Sequence, residues 1–290
     1  MSAIPRICLT SGGDEIRLRS YVNHAIYARE QGLDYRLETG IDPHIVTKFD
    51  YKVSILRRLL PLYDWLVWLD DDALFTDFEA DHIVRLISEA ERDGVSLVLA
   101  EGPEEPNGFW SRINTGVMLL RNDETARAIV ESTATADLSV VRDWWDDERD
   151  GLFTNGDQDQ MWWTIQTGGY ADRVRIVGHR ELNSRGHYYE DSLTDAFVMH
   201  FTGYPDKELG IARFADRFSI GQELVPEPLL DKYHVRVRSP LRGAARAWRE
   251  RRVDALAATK YRLRPHKDRI RRAAGLLPQP VRRRLPLGLG

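Results

Sequence analysis

The sequence predicts an α/β protein: an open, Rossmann-like, doubly wound sheet, mostly parallel, with helices on both faces. Three observations carry this. Trp65-Leu66-Val67-Trp68-Leu69 is an unbroken apolar run leading straight into Asp70-Asp71-Asp72, and a strand without polar alternation is one buried on both faces. Val95-Ser96-Leu97-Val98-Leu99-Ala100 is a second run of that kind. Segments with a helical apolar stripe separate the strands, giving β-α-β order. At 290 residues, with 42% hydrophobic residues and eight Trp, the chain has room for one large domain, or a domain and an appendage.

In chain order, Arg6 to Thr10 reads as the first strand and Ser11-Gly12-Gly13-Asp14 as a tight polar turn. In a nucleotide-binding α/β domain this turn meets the nucleotide, which makes Thr10 and Ser11 candidate contacts. Ile16 to Gln31 reads as a helix, with Gly32 just past its end. Leu33 to Glu38 is the second strand. Tyr51 to Leu60 is a helix with Val53, Leu56 and Leu60 on one stripe, ended by Pro61. Lys52 lies early on it and, from composition alone, reads as solvated. Phe78 to Asp93 is a helix closed by Gly94. Glu101 to Ser111 is a loop with two Pro and two Gly. Arg112 to Leu120 starts polar and ends apolar. Its Asn114 and Gly116 either approach a ligand at the strand mouth or form a bulge. Glu124 to Ala136 is a further helix.

Asp157 to Ile165 begins another helix. Asp157 with Gln160 fits an acidic variant of the capping box. That leaves Gln158 and Asp159 over, and Asp159 is the better candidate for chemistry. Trp144-Trp145 and Trp162-Trp163 stand beside carboxylates. Such pairs suit stacking on a sugar ring and serve equally as core. Val174 to Val177 is a short strand. Asp195 to Gly203 reads as the last core strand, delivering His200 at its exit ahead of a Gly turn and Lys207.

The charge is divided. From Lys232 to Gly290 there are 18 Lys and Arg against 3 Asp and Glu; the preceding 231 residues carry 23 against 42. We therefore expect a body over residues 1–231 and a basic, partly helical extension over 232–290. Pro240 to Ala258 sets Leu241, Ala245, Trp248, Ala255 and Leu256 between arginines; Arg269 to Leu277 is similar, and Arg282-Arg283-Arg284 follows. Such a tail lies on an anionic membrane surface, packs on the acidic body, or stays loose. There is no nucleic-acid motif. Cys8 is the only cysteine, so no intrachain disulfide is possible. Met1 to Arg6 contains no long apolar run. The expectation is a cytoplasmic protein, peripheral to the inner face of a membrane if the tail binds lipid.

Three adjacent carboxylates repel one another at the carboxyl end of a strand, where open α/β sheets bind ligands. A cation among them relieves this, and Mg²⁺ or Mn²⁺ prefers carboxylate oxygens. Asp70 and Asp72 point the same way on an extended chain, so they are the candidate ligands of a metal–diphosphate site. The bland alternative is a helix cap with an acidic loop. His200 suits a third ligand, and Lys207 a phosphate contact.

Lys52-Val53-Ser54-Ile55-Leu56-Arg57-Arg58, Trp65 through Asp77, Asn114-Thr115-Gly116, Asp159-Gln160 and His200-Phe201-x-Gly203 together resemble the galactosyl/xylosyl-transferase family. That family includes plant xyloglucan xylosyltransferases and fungal Golgi α-galactosyl- and α-mannosyltransferases. The resemblance covers roughly residues 6 to 210. It implies a GT-A fold, a nucleotide-sugar donor, a saccharide or glycoconjugate acceptor, Mn²⁺ (or Mg²⁺), and transfer with retention. Asp72 would bind the metal, Asp70 the ribose or the metal, and His200 would complete the metal site. Asp159 and Gln160 would be the acid–amide pair beside the donor sugar, with Asp159 the nucleophile candidate. Lys52, Asn114, Gly116 and Gly203 would join Thr10, Ser11 and Asp70 around the donor, and Lys207 would meet the diphosphate. The pattern departs from the family at Gln158, where a second acid is expected, and at the N-terminus, where Golgi members carry an anchor.

Two other readings compete. A haloacid-dehalogenase-type phosphatase also places Asp-x-Asp after a buried strand, although Ala73-Leu74 stands where a Gly-Thr turn is usual. A non-catalytic nucleotide-sugar-binding protein would hold the donor without turnover.

Overall fold

The computed structural model describes residues 5–13, 16, 18–40, 48–79, 81–106, 108–239 and 241–256. In chain order the body runs β1 (Ile7–Gly13), α1 (Ser20–Glu30), β2 (Asp34–Thr39), α2 (Lys48–Leu59), β3 (Trp65–Leu69), β4 (Ala73–Phe75), α3 (His82–Arg92), β5 (Leu97–Gly102) and β6 (Ser111–Arg121). There follow α4 (Glu124–Thr135), α5 (Leu138–Trp144), α6 (Asp147–Asp150), α7 (Asp157–Thr167), β7 (Val174–Val177), α8 (His179–Leu182), β8 (Val198–His200), α9 (Lys207–Arg217) and α10 (Glu227–Lys232). The chain divides into two compact units at Arg238/Ser239. In the second, residues 243–256 are helical. The expected stripe over Arg269 to Leu277, the Arg282–Arg284 run and Asp14 lie outside the described residues.

Six strands form the central sheet in the order β2-β1-β3-β6-β5-β7. It is mostly parallel: β6 alone runs against its neighbours β3 and β5. All five residues of β3 are buried, and their alternation feeds two cores. Trp65, Val67 and Leu69 pack with Ile26 and Tyr27 of α1 and Ile83, Leu86 and Ile87 of α3. Leu66 and Trp68 pack on the other face with Leu56 of α2, Ile129 of α4 and Met161 of α7. A strand with helices on both sides has no face for polar residues, which is why it reads as an unbroken apolar run. No helix among the described residues is long and apolar enough to cross a membrane.

Three local expectations give way. The polar turn at Ser11-Gly12-Gly13 is strand, because β2 continues the parallel ladder to Gly12↔Glu38 and Gly13↔Thr39. The helix expected from Phe78 begins at His82, since Phe78 is used as a core side chain packed edge-on against Tyr27. The strand ending at His200 is not part of the central sheet. It pairs antiparallel with β4 in a separate two-stranded sheet, with Ala73 opposite His200. A third core, of Leu74, Met199, Phe201, Ile211 and Phe214, binds this small sheet to α9.

Candidate metal and donor site

The ladder between β3 and β6 reaches Asp70, whose N–H donates to the Gly116 carbonyl at 2.8 Å. The Asp70 carbonyl then accepts from Ala73 N–H at 3.0 Å, closing a turn before β4 begins. Asp72 therefore lies in a turn, and it is this turn that brings it beside Asp70, where the sequence argument used alternation along an extended strand. The Phe201 N–H donates to the Asp72 carbonyl at 2.8 Å, clamping the turn to the segment just past β8. The clamp sets His200 Nε2 2.9 Å from Asp72 Oδ1 and 3.9 Å from Asp70 Oδ2. One ligand atom from each of Asp70, Asp72 and His200 lies within 4.8 Å of the others. Two carboxylate oxygens and an imidazole nitrogen suit a divalent cation of the Mg²⁺–Mn²⁺ type. Neighbouring ligands around such an ion stand about 3 Å apart for bonds of about 2.1 Å, so the spacing fits.

Two lysines balance the acids. Lys207, the first residue of α9, places Nζ 2.5 Å from Asp72 Oδ2. It is carried back there by a turn in which Gly203 takes a left-handed φ of 74°, which a side chain would disfavour. Lys52 Nζ sits 3.0 Å from both Asp70 Oδ1 and Asp157 Oδ2 and donates to the Thr115 carbonyl at 3.0 Å. Its solvated reading fails, because its ammonium is largely buried between the buried Asp157 and the half-buried Asp70. Burial pushes the Asp72 carboxyl up, but the charges and hydrogen bonds of His200 and Lys207 outweigh it and hold it well below the usual range. Burial pushes Lys52 down, and Asp157 and Asp70 more than restore it, raising it above an ordinary lysine.

β6 carries a bulge at the site. Its register with β5 jumps from Leu99↔Met118 to Ala100↔Asn114, so Thr115, Gly116 and Val117 lie in the irregular stretch. The bulge reading of Asn114 and Gly116 is met, and the bulge places both at the strand mouth, where they line a cavity. A Cβ on Gly116 would overlap the His200 ring and the Asn114 carboxamide.

A cavity of about 660 Å³ opens from this cluster. Lys52, Asp70, Asn114, Thr115, Gly116, Asp157, His200 and Gly203 border it on one side, and Glu105, Trp110, Arg185 and Tyr204 on the other. A nucleotide-sized ligand falls within the range of such a volume. Of the residues expected around a donor, Lys207 does not line it, and neither do Thr10 and Ser11. Both are buried; the Ser11 hydroxyl bonds that of Tyr35 at 2.8 Å, and Ser11 borders a small separate recess with Gly12, Gly13 and Asp71.

The acid–amide pair is displaced. The N-cap of α7 is Gly156, one residue earlier than the capping box read from the sequence, and Asp159 at N3 is the side chain that reaches back. Its carboxylate accepts from Thr154 Oγ1 at 3.0 Å and from the N–H of Asn155 at 2.6 Å. Asp159 is fully buried, and burial pushes its carboxyl up to about 6 against the pull of those bonds. Gln160 donates to the Ala136 carbonyl at 2.7 Å. Neither borders the cavity; Asp157 and Gln158 do. From the sequence, Asp157 is the capping residue and Asp159 the candidate for chemistry; in the structure Asp159 makes the cap contacts and Asp157 lines the cavity. Two further residues, which no sequence motif marks, come from the turn after α8: Asn183, which bonds His200 Nδ1, and Arg185, which bonds Asn183.

No family model matches the chain. In sequence it is 29% identical over 135 residues to "Probable glycosyltransferase 3" of Oryza sativa subsp. indica and 30% identical over 135 residues to "Xyloglucan 6-xylosyltransferase 2" of Arabidopsis thaliana, each match covering 45% of this chain and 28% of the relative. It is 28% identical over 122 residues to "Galactomannan galactosyltransferase 1" of Cyamopsis tetragonoloba, covering 41% of this chain and 27% of that one. The matched part thus spans under a third of these relatives. Among solved structures, the glycosyltransferase involved in glycosylation of the major capsid of PBCV-1 superposes with a TM-score of 0.50 at 16% identity, covering 74% of this chain and all of that one. The resemblance read from the motifs holds: the chain is similar in sequence to plant xyloglucan xylosyltransferases and galactosyltransferases, and its mixed α/β fold is that of GT-A glycosyltransferases.

Proposed function

We propose that this protein is a metal-dependent glycosyltransferase that moves a hexose or pentose from a nucleotide-diphosphate sugar to a saccharide or glycoconjugate acceptor. The observation that carries the reading is the convergence of Asp70, Asp72 and His200 on one point at the mouth of a cavity that also holds Lys52 and Asp157. Asp70, Asp72 and His200 would hold Mn²⁺ (or Mg²⁺). That ion, when bound, neutralises charge developing on the leaving diphosphate. Lys207, half-exposed next to Asp72, adds a second positive charge on the same side. Asn114 and Gly116 border the donor sugar's end of the cavity.

The part first read for Asp159 passes to Asp157, whose carboxylate reaches the cavity. Thr115 Oγ1 donates to it at 2.9 Å and Lys52 pairs with it, so its orientation is set before a donor arrives. In a retaining transfer it serves as the anionic group facing the anomeric carbon, either as nucleophile or as support for attack from the leaving-group side. We place the enzyme at the cytoplasmic face of a membrane, with the basic segment from Lys232 on anionic lipid. The support is its 18 Lys and Arg against 3 Asp and Glu and an exposed Trp248 on the helix at residues 243–256.

The test is a thermal-shift and hydrolysis screen of UDP- and GDP-sugars with and without Mn²⁺. Stabilisation by one donor only with metal, with slow release of its nucleotide, is the expected result and names the donor. Cleavage of simple phosphate esters without any response to nucleotide sugars would replace the reading with a phosphatase.

A further inference from the structure

The side chains behind His200 form a chain of hydrogen bonds whose polarity is fixed at both ends. At one end, the backbone N–H of Gly116 can only donate, and it points at the Asn114 carboxamide at 2.9 Å. The Asn114 atom there is therefore its oxygen. That same oxygen lies 2.6 Å from the Asn183 carboxamide, so the Asn183 atom facing it is the NH₂ group. At the other end, Arg185 can only donate, and its guanidinium lies 3.3 Å from the second Asn183 atom, which must be the oxygen. Reversing Asn183 would oppose two acceptors at Asn114 and two donors at Arg185. The Asn183 oxygen that remains also faces His200 Nδ1 at 3.0 Å. An oxygen acceptor requires a proton on Nδ1. Asn183, Arg185 and His200 are all buried.

We infer that Asn183 is a positioning residue: it holds a proton on Nδ1 of His200, whichever state Nε2 takes against the Asp72 carboxylate, and so reserves Nε2, turned toward Asp70 and Asp72, as the nitrogen that would bind the divalent cation. The inference rests on the metal site proposed above and adds a residue to it that no motif marked. Rotation of the ring by a half turn would put carbon against Asn183 and against Asp72, forfeiting both contacts. Gly116 packs against the same ring, which leaves it no other seat. A ligand histidine held in this way through its second nitrogen binds metal more tightly, and loss of such a partner costs about 10- to 100-fold in affinity.

The experiment uses the full chain in two measurements. Long-range ¹H–¹⁵N spectra of histidine-labelled protein, recorded metal-free and with diamagnetic Mg²⁺, report which nitrogen of His200 carries a proton. Titration with Mn²⁺ alone, without donor, gives the affinity. In the wild type, Nδ1 of His200 is protonated in both states. In Asn183→Leu the Nδ1–H signature is lost and Mn²⁺ binding weakens about tenfold or more. In Asn183→Asp, which keeps an acceptor facing Nδ1 but gives up the donor to Asn114, the Nδ1–H signature is retained. A wild-type spectrum with Nδ1 unprotonated overturns the inference, and so does an Asn183→Leu variant that keeps the signature and binds Mn²⁺ within about twofold of wild type. Failure of the metal reading itself is seen separately, as unchanged Mn²⁺ affinity in His200→Ala.

Discussion

Asp72 is held through both its side chain and its backbone: His200 and Lys207 sit on its two carboxylate oxygens, and Phe201 N–H donates to its carbonyl. Replacing it by Ala removes a ligand and leaves Lys207 and His200 facing each other without an anion between them. Asp72→Ala and His200→Ala are each expected to abolish Mn²⁺-dependent transfer and the Mn²⁺-dependent part of donor-induced thermal stabilisation. Near-normal turnover by both variants would remove the metal assignment. Asp157→Asn keeps the shape of the side chain and removes its charge, while Lys52 retains Asp70 as a partner. We expect turnover to fall by about 10²–10³-fold, with the donor dissociation constant changed by less than about fivefold. Steady-state kinetics beside donor titration separate the two quantities. Asp159 behaves differently. Its folded pKa of about 6 lies above the ordinary 3.8, so the native state binds more protons than the unfolded chain between those values. The stability this group contributes is complete below about pH 4 and declines as pH rises through about 6, by roughly 3 kcal/mol in all. Denaturant unfolding at pH 4.5 and pH 7 is expected to show this decline in the wild type. In Asp159→Asn it should be absent, and an equal decline in both proteins would refute the assignment.

At the scale of elements, the bulge in β6 and the turn between β3 and β4 build the site together. The bulge offers the Gly116 carbonyl to Asp70 N–H and the Gly116 Cα to the His200 ring. A methyl group on Gly116 has no room unless His200 or Asn114 moves. Gly116→Ala is expected to leave the sheet folded, since Leu119 and Leu120 beyond the bulge are unaffected, and to weaken Mn²⁺ binding at least tenfold through displacement of His200. Circular dichroism with metal titration checks both halves. If Mn²⁺ affinity is preserved, the ring has another seat and the close packing is not required. The capping of α7 shows how narrow a margin element boundaries leave. Gly156-Asp157-Gln158-Asp159-Gln160 admits a cap at Asp157 with Gln160 reaching back, or at Gly156 with Asp159 reaching back. The two choices differ by one residue and exchange the parts of the two aspartates. With the cap at Gly156, Asp157 pairs with Lys52 at 3.0 Å, a partner more than a hundred residues away that no local pattern contains.

For the molecule as a whole, the legible and illegible parts divide by the range of the interactions behind them. The burial of β3 and β5, the helices on both faces of the sheet, and the alternation of strands and helices were all readable from apolar periodicity, because a strand's neighbours on each face dictate its own residue pattern. Asp70, Asp72 and His200 were readable as candidate ligands because carboxylates crowded at a strand end repel one another without a cation, and a histidine at a strand exit offers a third donor; the structure brings the three together. Asn183 and Arg185 were not, since asparagine and arginine in a turn are ordinary loop residues until their partners are known. Thr10 and Ser11 failed for a related reason: β1 runs on through Gly13, which moves the end of that strand away from the cavity. The sequence by itself determined the layered α/β architecture, the acidic strand end and the family likeness, all of which are written in patterns a few residues long. Only the tertiary structure decided which aspartate reaches the cavity, and how His200 meets Asp72 across 128 residues of chain. Those contacts depend on the pairing of β4 with β8 and on a bulge in β6, and both are set by packing between segments that carry no information about each other along the sequence.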